Sequence, residues 1–99
     1  MTTTDHRLAA KDRILALIAS LTATPDAAAF APLVDECRAL ARAIEAFHME
    51  GIRFRMFNVD RWMSRGDLTI PDEARQAFAQ ARESLEAAGF HTRSHQAPG

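Results

Sequence analysis

Residues 47–65, FHMEGIRFRMFNVDRWMSR, decide how the middle of this chain folds. The segment holds four of the seven aromatic residues, three of the four methionines and four of the eleven arginines. Most of the remaining chain carries alanine and leucine at helical spacing, which is typical of a small helical bundle. We therefore expect this segment to contain the turning point of the fold and the surface that contacts other molecules.

The apolar pattern changes face inside this segment. The upstream row consists of Val34, Cys37, Ala41 and Ile44, with Leu33, Leu40 and Phe47 beside it. The downstream row consists of Met49, Ile52, Met56, Val59 and Met63. At 100° per residue its centre is rotated by roughly 80° from the first row. Residues 52–56 also alternate as a strand would, but the complete row favours one long central helix that bends at Gly51.

A shorter helix is predicted before the central one. It runs from about Asp5 to Leu21, with Thr4 as its cap. Its inner row consists of Ala10, Ile14, Leu17, Ile18 and Leu21. Proline fits the first turn of a helix but not its interior, so we expect one short helical turn at 25–30 and a new helix from Pro32.

The last helix is predicted to start near Pro71 and to end at Gly89. Its inner row consists of Ala74, Phe78, Ala81, Leu85 and Ala88. Gly89 suits the left-handed position after a helix, and Phe90 can then pack back on Leu85, as in a Schellman motif. The expected fold is all-α, with three main helices and a long, bent central helix.

Length and composition predict one domain that pairs with a second copy. A chain of 99 residues is too short for two cores, so we assign residues 1–90 to a single helical domain and 91–99 to a flexible C-terminal tail. Twenty residues are alanine, which favours helix but buries little area. A dimeric helical bundle is therefore the expected assembly.

Charge and cysteine content exclude several classes of protein. The net charge of −1 makes nucleic acid or an anionic membrane an improbable partner. The single cysteine, Cys37, cannot form an intramolecular disulfide, which fits a reducing cytoplasm. Neither a signal peptide nor a membrane-spanning stretch is recognisable. The expected location is the cytoplasm.

Six residues of the central segment are the predicted partner-binding site. They are Arg53, Phe54, Phe57, Arg61, Trp62 and Arg65. On a helix five of these residues lie opposite the methionine row, and Trp62 lies between the two sides. Arg, Trp and Phe are typical interface anchors. Two other interpretations stay open: the arginines could pair with carboxylates while the rings pack inward, or residues 53–65 could bind nucleic acid through stacking and charge.

The downstream row is the predicted surface for self-association. Its members are Met49, Ile52, Met56, Val59 and Met63. A long central helix with separate apolar rows on its two halves has more apolar surface than two short partner helices can cover. We therefore expect a homodimer that forms through this row.

No catalytic signature is present, so we interpret the chain as a small non-enzymatic interaction or regulatory protein without a cofactor. The alternative is a metal- or small-molecule-binding bundle that uses Glu45 and His48. Their Glu-x-x-His spacing is that of di-metal carboxylate bundles, and a dimer interface would duplicate it. Cys37 lies in an apolar row, where a buried, inert thiol is expected.

Overall fold

The structure, a computed structural model, describes residues 5–90. This range is all-helical, which confirms the predicted fold class. Four α-helices are present: α1 (His6–Thr22), α2 (Ala31–Glu45), α3 (Met49–Met63) and α4 (Asp72–Ala87). A short 3₁₀ helix (Ala27–Phe30) precedes α2, as the two prolines predict. The expected single central helix is wrong, because α2 and α3 are separate helices.

The break between α2 and α3 lies at Phe47 and not at Gly51. Phe47 has a φ of 59°, a left-handed conformation that costs a side-chain-bearing residue roughly 1–2 kcal/mol. The amide of His48 donates to the carbonyl of Ala43 at 3.0 Å, and the amide of Phe47 donates to that of Ile44 at 3.1 Å. This is the Schellman pattern that normally uses glycine. The helix therefore ends at Glu45, six residues before the glycine.

Arg7 of α1 holds this helix end in place. Its Nη1 donates to the carbonyl oxygens of Ile44 at 2.9 Å and of Glu45 at 3.2 Å. The guanidinium also lies over the Phe47 ring, 5.4 Å from its centroid, and that ring contacts Phe90 at 5.5 Å between centroids. A cation at a helix C-terminus satisfies carbonyls that have no partner within the helix. Arg7 thereby offsets the backbone cost at Phe47.

Helix α3 begins immediately after the break because His48 caps it. The backbone amide of Gly51 donates to Nδ1 of His48 at 2.8 Å. A Cβ atom on Gly51 would lie 2.8 Å from the same Nδ1 and 3.4 Å from the Cβ of Ala43. Glycine at this position therefore leaves room for the His48 cap and for the end of α2. The chain does not bend at Gly51.

The helices run alternately up and down. The Lys11–Glu45 ion pair places the start of α1 beside the end of α2, and Phe90 brings the end of α4 to the same place. Helices α2 and α4 therefore flank α1 and are antiparallel to it. Helix α3 packs mainly on α2, whereas α4 packs mainly on α1.

One continuous core joins the four helices, and most predicted inner positions belong to it. The rows of α1 and α2 are buried apart from half-buried Ile18 and exposed Phe47. In α4 the expected Ala88 is exposed at the helix end, and Ala77 is buried in addition. Small residues on α4 let its backbone approach α1 closely. No helix within residues 5–90 has the length and apolar character needed to cross a bilayer.

The ends of the fold agree with the sequence in part. Asp5, not Thr4, caps α1: its side chain accepts from the amide of Leu8 at 3.1 Å. Helix α4 ends as predicted, with Gly89 at a φ of 99°. The amide of Phe90 donates to the carbonyl of Leu85 at 2.9 Å, which completes the Schellman motif. Thr4 and the predicted tail at 91–99 lie outside the described residues.

We expect Arg7→Ala to lower the free energy of unfolding by about 1–3 kcal/mol, because two carbonyls at the end of α2 lose a charged donor. Urea denaturation followed by circular dichroism measures the change. Arg13→Ala, which removes an exposed arginine from the same helix, should stay within about 0.5 kcal/mol of the parent. Equal effects of the two changes would show that the contact with α2 contributes nothing.

Cys37 should react very slowly with thiol reagents in the folded protein. Its side chain is fully buried, and this burial, with a smaller contribution from the nearby Glu36 carboxylate, raises the pKa of the thiol to about 12. The reactive thiolate is therefore scarce at pH 8, and the reagent cannot reach it. A disulfide reagent followed by absorbance should modify Cys37 rapidly in concentrated guanidinium but not in buffer. Comparable rates in the two solutions would contradict the inert-thiol interpretation.

Candidate functional site

Helix α3 has one buried face and one open face. Ile52, Met56 and Val59 are fully buried, and Met63 is 3% exposed. These side chains join the core chiefly on the α2 side. The face that points away from α2 carries polar and aromatic residues. This division follows from the three-and-four spacing of the buried row on a regular helix.

The burial of this row affects the predicted self-association surface. Four of its five members are enclosed by the protomer's own helices, and Met49 is 48% exposed. A second copy would reach the buried four only if α3 left α2. Self-association stays a prediction, and in this fold another surface is needed for it.

The open face of α3 brings together five of the six predicted partner-binding residues. They are Phe54, Phe57, Arg61, Trp62 and Arg65, and we call this group the arginine–aromatic surface. Phe54 is 46% exposed, and Phe57 and Trp62 are half-buried. Arg53 lies apart from this group. Its Nε is buried without a hydrogen-bond partner, and its Nη1 contacts Glu50 at 3.1 Å.

Guanidinium groups lie over the aromatic rings of this surface. Arg65 lies 4.4 Å from the centroid of the Trp62 ring, and Arg61 lies 5.8 Å from that of Phe57. Arg55 on the α2 side lies 5.2 Å from the centroid of Phe54. Such pairs hold the rings at the surface with one part still open to solvent. These contacts favour the observed positions of the rings, and such preorganisation would lower the entropic cost of binding.

Carboxylates neutralise most of the arginines. Arg55 contacts Glu36 at 3.0 Å, and Asn58 donates to the same carboxylate at 3.2 Å. Arg65 donates to both oxygens of Asp67, at 2.7 and 3.0 Å. Bidentate pairing of this kind is strong and directional. The alternative interpretation of the sequence, in which arginines pair with carboxylates, therefore holds for Arg55 and Arg65.

Arg61 differs from the other arginines of α3. Within residues 5–90 no carboxylate lies within ion-pair distance of it, and its side chain is exposed. It lines a shallow cavity of about 270 Å³ together with Glu36, Asn58, Trp62 and Arg65. The cavity offers one uncompensated cation beside the indole of Trp62. A carboxylate side chain is the group that best matches this chemistry.

This charge arrangement weighs against nucleic-acid binding through 53–65. Affinity for a phosphate backbone depends on several cations that are free to displace counterions. Arg53, Arg55 and Arg65 are each paired with an acidic side chain. Arg61, which has no ion-pair partner within residues 5–90, is better suited to a single acidic side chain.

The alternative metal pair loses its geometric basis. Glu45 is the last residue of α2 and contacts Lys11 at 2.9 Å, which lowers the pKa of its carboxyl. His48 lies beyond the left-handed Phe47 and uses Nδ1 as the cap of α3. The pair therefore does not share a helix face. Among the described residues, no three His, Cys, Asp or Glu side chains converge as a metal ion would require.

Sequence reasoning missed the residues that shape this site. Glu36 and Asp67 neutralise arginines 19 and 2 positions away in the chain. The Arg65–Asp67 spacing is visible in the sequence, but only the turn after α3 brings the two side chains together. Glu36 has no such local signal, because its contact with Arg55 arises from the antiparallel packing of α2 on α3.

Asp67 should titrate below the ordinary aspartate value of 3.8, because the bidentate bond from Arg65 lowers its pKa. The bond is complete above that ordinary value and is lost as pH falls through the depressed pKa. An NMR titration of the Asp67 carboxyl carbon measures the midpoint. We expect Arg65→Gln to move the midpoint upward and Arg61→Gln to leave it in place. An unchanged midpoint in Arg65→Gln would mean that the Arg65 pairing is absent in solution.

Comparison with protein-family models, with curated proteins and with solved structures found no significant match for this chain. No relative therefore supplies a function for the arginine–aromatic surface. Its chemistry has to be inferred from its own contacts and charges.

Proposed function

We propose that the protein is a small non-enzymatic interaction protein that self-associates and binds another protein through the arginine–aromatic surface of α3. The observation that supports binding is the open face of α3. It presents half-exposed Phe54 together with Arg61, an arginine that has no ion-pair partner among the described residues. Aromatic and arginine side chains at the centre of a contact provide most of the binding energy in many interfaces.

The chemistry of this face defines the partner. Arg61 and the cavity beside Trp62 fit an acidic side chain, and Phe54 fits an apolar neighbour. The matching partner therefore presents a carboxylate next to an apolar patch. The two contacts need to be about two helical turns apart, which is the separation of positions 54 and 61 along α3.

Site-specific photocrosslinking tests this proposal in cells that produce the protein. A benzophenone amino acid replaces Phe54, where an aromatic side chain is already half-exposed, and a control places it at exposed Gln80 on α4. We expect a discrete crosslinked partner from position 54 only. Adding Arg61→Glu should reduce that crosslink at least about tenfold, since it reverses the charge that meets the carboxylate.

Folding controls make the result decisive. Arg13→Glu applies the same charge reversal to an exposed position on α1 and should leave the crosslink intact. Urea denaturation of the Arg61→Glu protein should give a free energy of unfolding close to the parent value. Crosslinks of equal strength from positions 54 and 80 would refute the proposed surface. A large loss of stability in Arg61→Glu would instead assign Arg61 a structural role.

A further inference from the structure

A second open surface lies on the opposite side of α2, where α1 and α2 meet. An apolar groove of about 290 Å³ runs between these helices. Leu15 and Ile18 of α1 and Ala41 of α2 contribute its apolar lining. The Lys11–Glu45 ion pair spans the groove near one end, with an N–O distance of 2.9 Å. The charged side chains of Lys11 and Glu45 therefore border the groove at one end, and the rest of it is open to solvent.

Two large apolar side chains beside this groove are exposed. Leu8 is 43% exposed and Leu15 is 46% exposed. They are seven residues apart, so both point from one face of α1, two turns from each other. Two large aliphatic side chains on one face next to an apolar groove form a coherent patch, whereas single exposed leucines are ordinary.

The charges around this patch are of both signs and are placed on different helices. Asp12 lies between Leu8 and Leu15 on α1, whereas Arg38 and Arg42 line the groove from α2. Within the described part of the chain, neither Asp12 nor Arg42 has an ion-pair partner. Arg38 contacts only Asp35, at 3.8 Å and with both side chains largely exposed, which is a weak interaction.

We infer that this face is the self-association surface, and that its occupant is a second copy of the same chain. In a two-fold dimer each surface has to be complementary to itself. Here the leucines of α1 would enter the partner protomer's groove, and Asp12 of each copy would face the arginine row of the other. One protomer carries both complementary elements. The first is an apolar ridge with an acidic residue, and the second is an apolar groove with basic residues.

The charge pattern favours a second copy over other occupants. A purely acidic peptide would match Arg38 and Arg42 but would be repelled by Asp12 between the leucines. An apolar ligand would leave Asp12 and Arg42 without ion-pair partners. In a two-fold dimer Asp12 would meet the arginine row of the other copy at two equivalent contacts, one on either side of the symmetry axis.

This inference rests on the self-association in the proposed function and adds the residues that carry it. The surface lies apart from the arginine–aromatic surface, because α2 contributes Arg38, Ala41, Arg42 and Glu45 to the groove but only Glu36 to the cavity beside Arg61. Loss of the dimer and loss of the α3 partner are therefore separate outcomes.

Sedimentation equilibrium of the whole chain at micromolar concentration tests the inference. We expect the parent protein to be a dimer. Leu15→Glu should raise the dimer dissociation constant at least about tenfold, because it places a charge in the apolar contact. Arg13→Glu, which adds negative charge at an exposed position on the other side of α1 from Leu15, should leave the dimer intact. Circular dichroism should give equal helicity for the three proteins.

Charge exchange tests the pairing itself. Asp12→Arg alone, and Arg38→Glu with Arg42→Glu, should each weaken the dimer, and the three changes together should restore it. Restoration is the result that a merely structural effect would not produce. A parent protein that is still monomeric at roughly 100 µM, the highest concentration used, would overturn both this inference and the proposed self-association. A parent dimer that Leu15→Glu leaves unchanged would overturn this surface alone.

Discussion

The fold depends on how Arg7 holds the C-terminal end of α2. The residue donates to two carbonyl oxygens at that end and lies over the ring of Phe47. A left-handed phenylalanine costs roughly 1–2 kcal/mol, and the charged donor at these two carbonyls contributes about 1–3 kcal/mol. The long-range contact therefore stabilises the turn at 46–48 against continuation of the helix.

This turn determines which residues remain at the surface. Because α3 folds back along α2, its methionine row becomes part of the core and its opposite face stays open. Helix α4 then packs on α1, on the side that α2 does not cover. Among the described residues, exposed apolar side chains remain at the turn (Phe47 and Met49) and on the two surfaces with a proposed partner, the arginine–aromatic surface around Phe54 and the groove beside Leu15. They lie on different sides of α2, which would let one protomer bind a second copy and another partner together.

Sequence periodicity predicted the helices better than it predicted their neighbours. The apolar row does rotate near position 50, and the rotation marks a change from α2 to α3. It does not arise from a bend at Gly51, as the sequence suggested. Glycine suggested flexibility, whereas here it makes room for the His48 imidazole. The methionine row was expected at an interface between copies because a long helix would have left it uncovered. Two shorter antiparallel helices cover each other, so those residues enter the protomer's own core.

The sequence by itself determined the helical class, the proline-marked starts of α2 and α4, the Gly89 ending and most of the core, because these depend on local backbone preferences and on spacing. Which arginines on α3 are neutralised was decided by tertiary structure. Glu36 reaches Arg55 only after α2 and α3 have packed, and Arg61 is left without an acid among the described residues. The break at Phe47 was decided in the same way, since it needs a guanidinium from 40 residues earlier in the chain. Contacts between distant segments arise from helix packing, and the spacing of apolar residues in the sequence does not predict them.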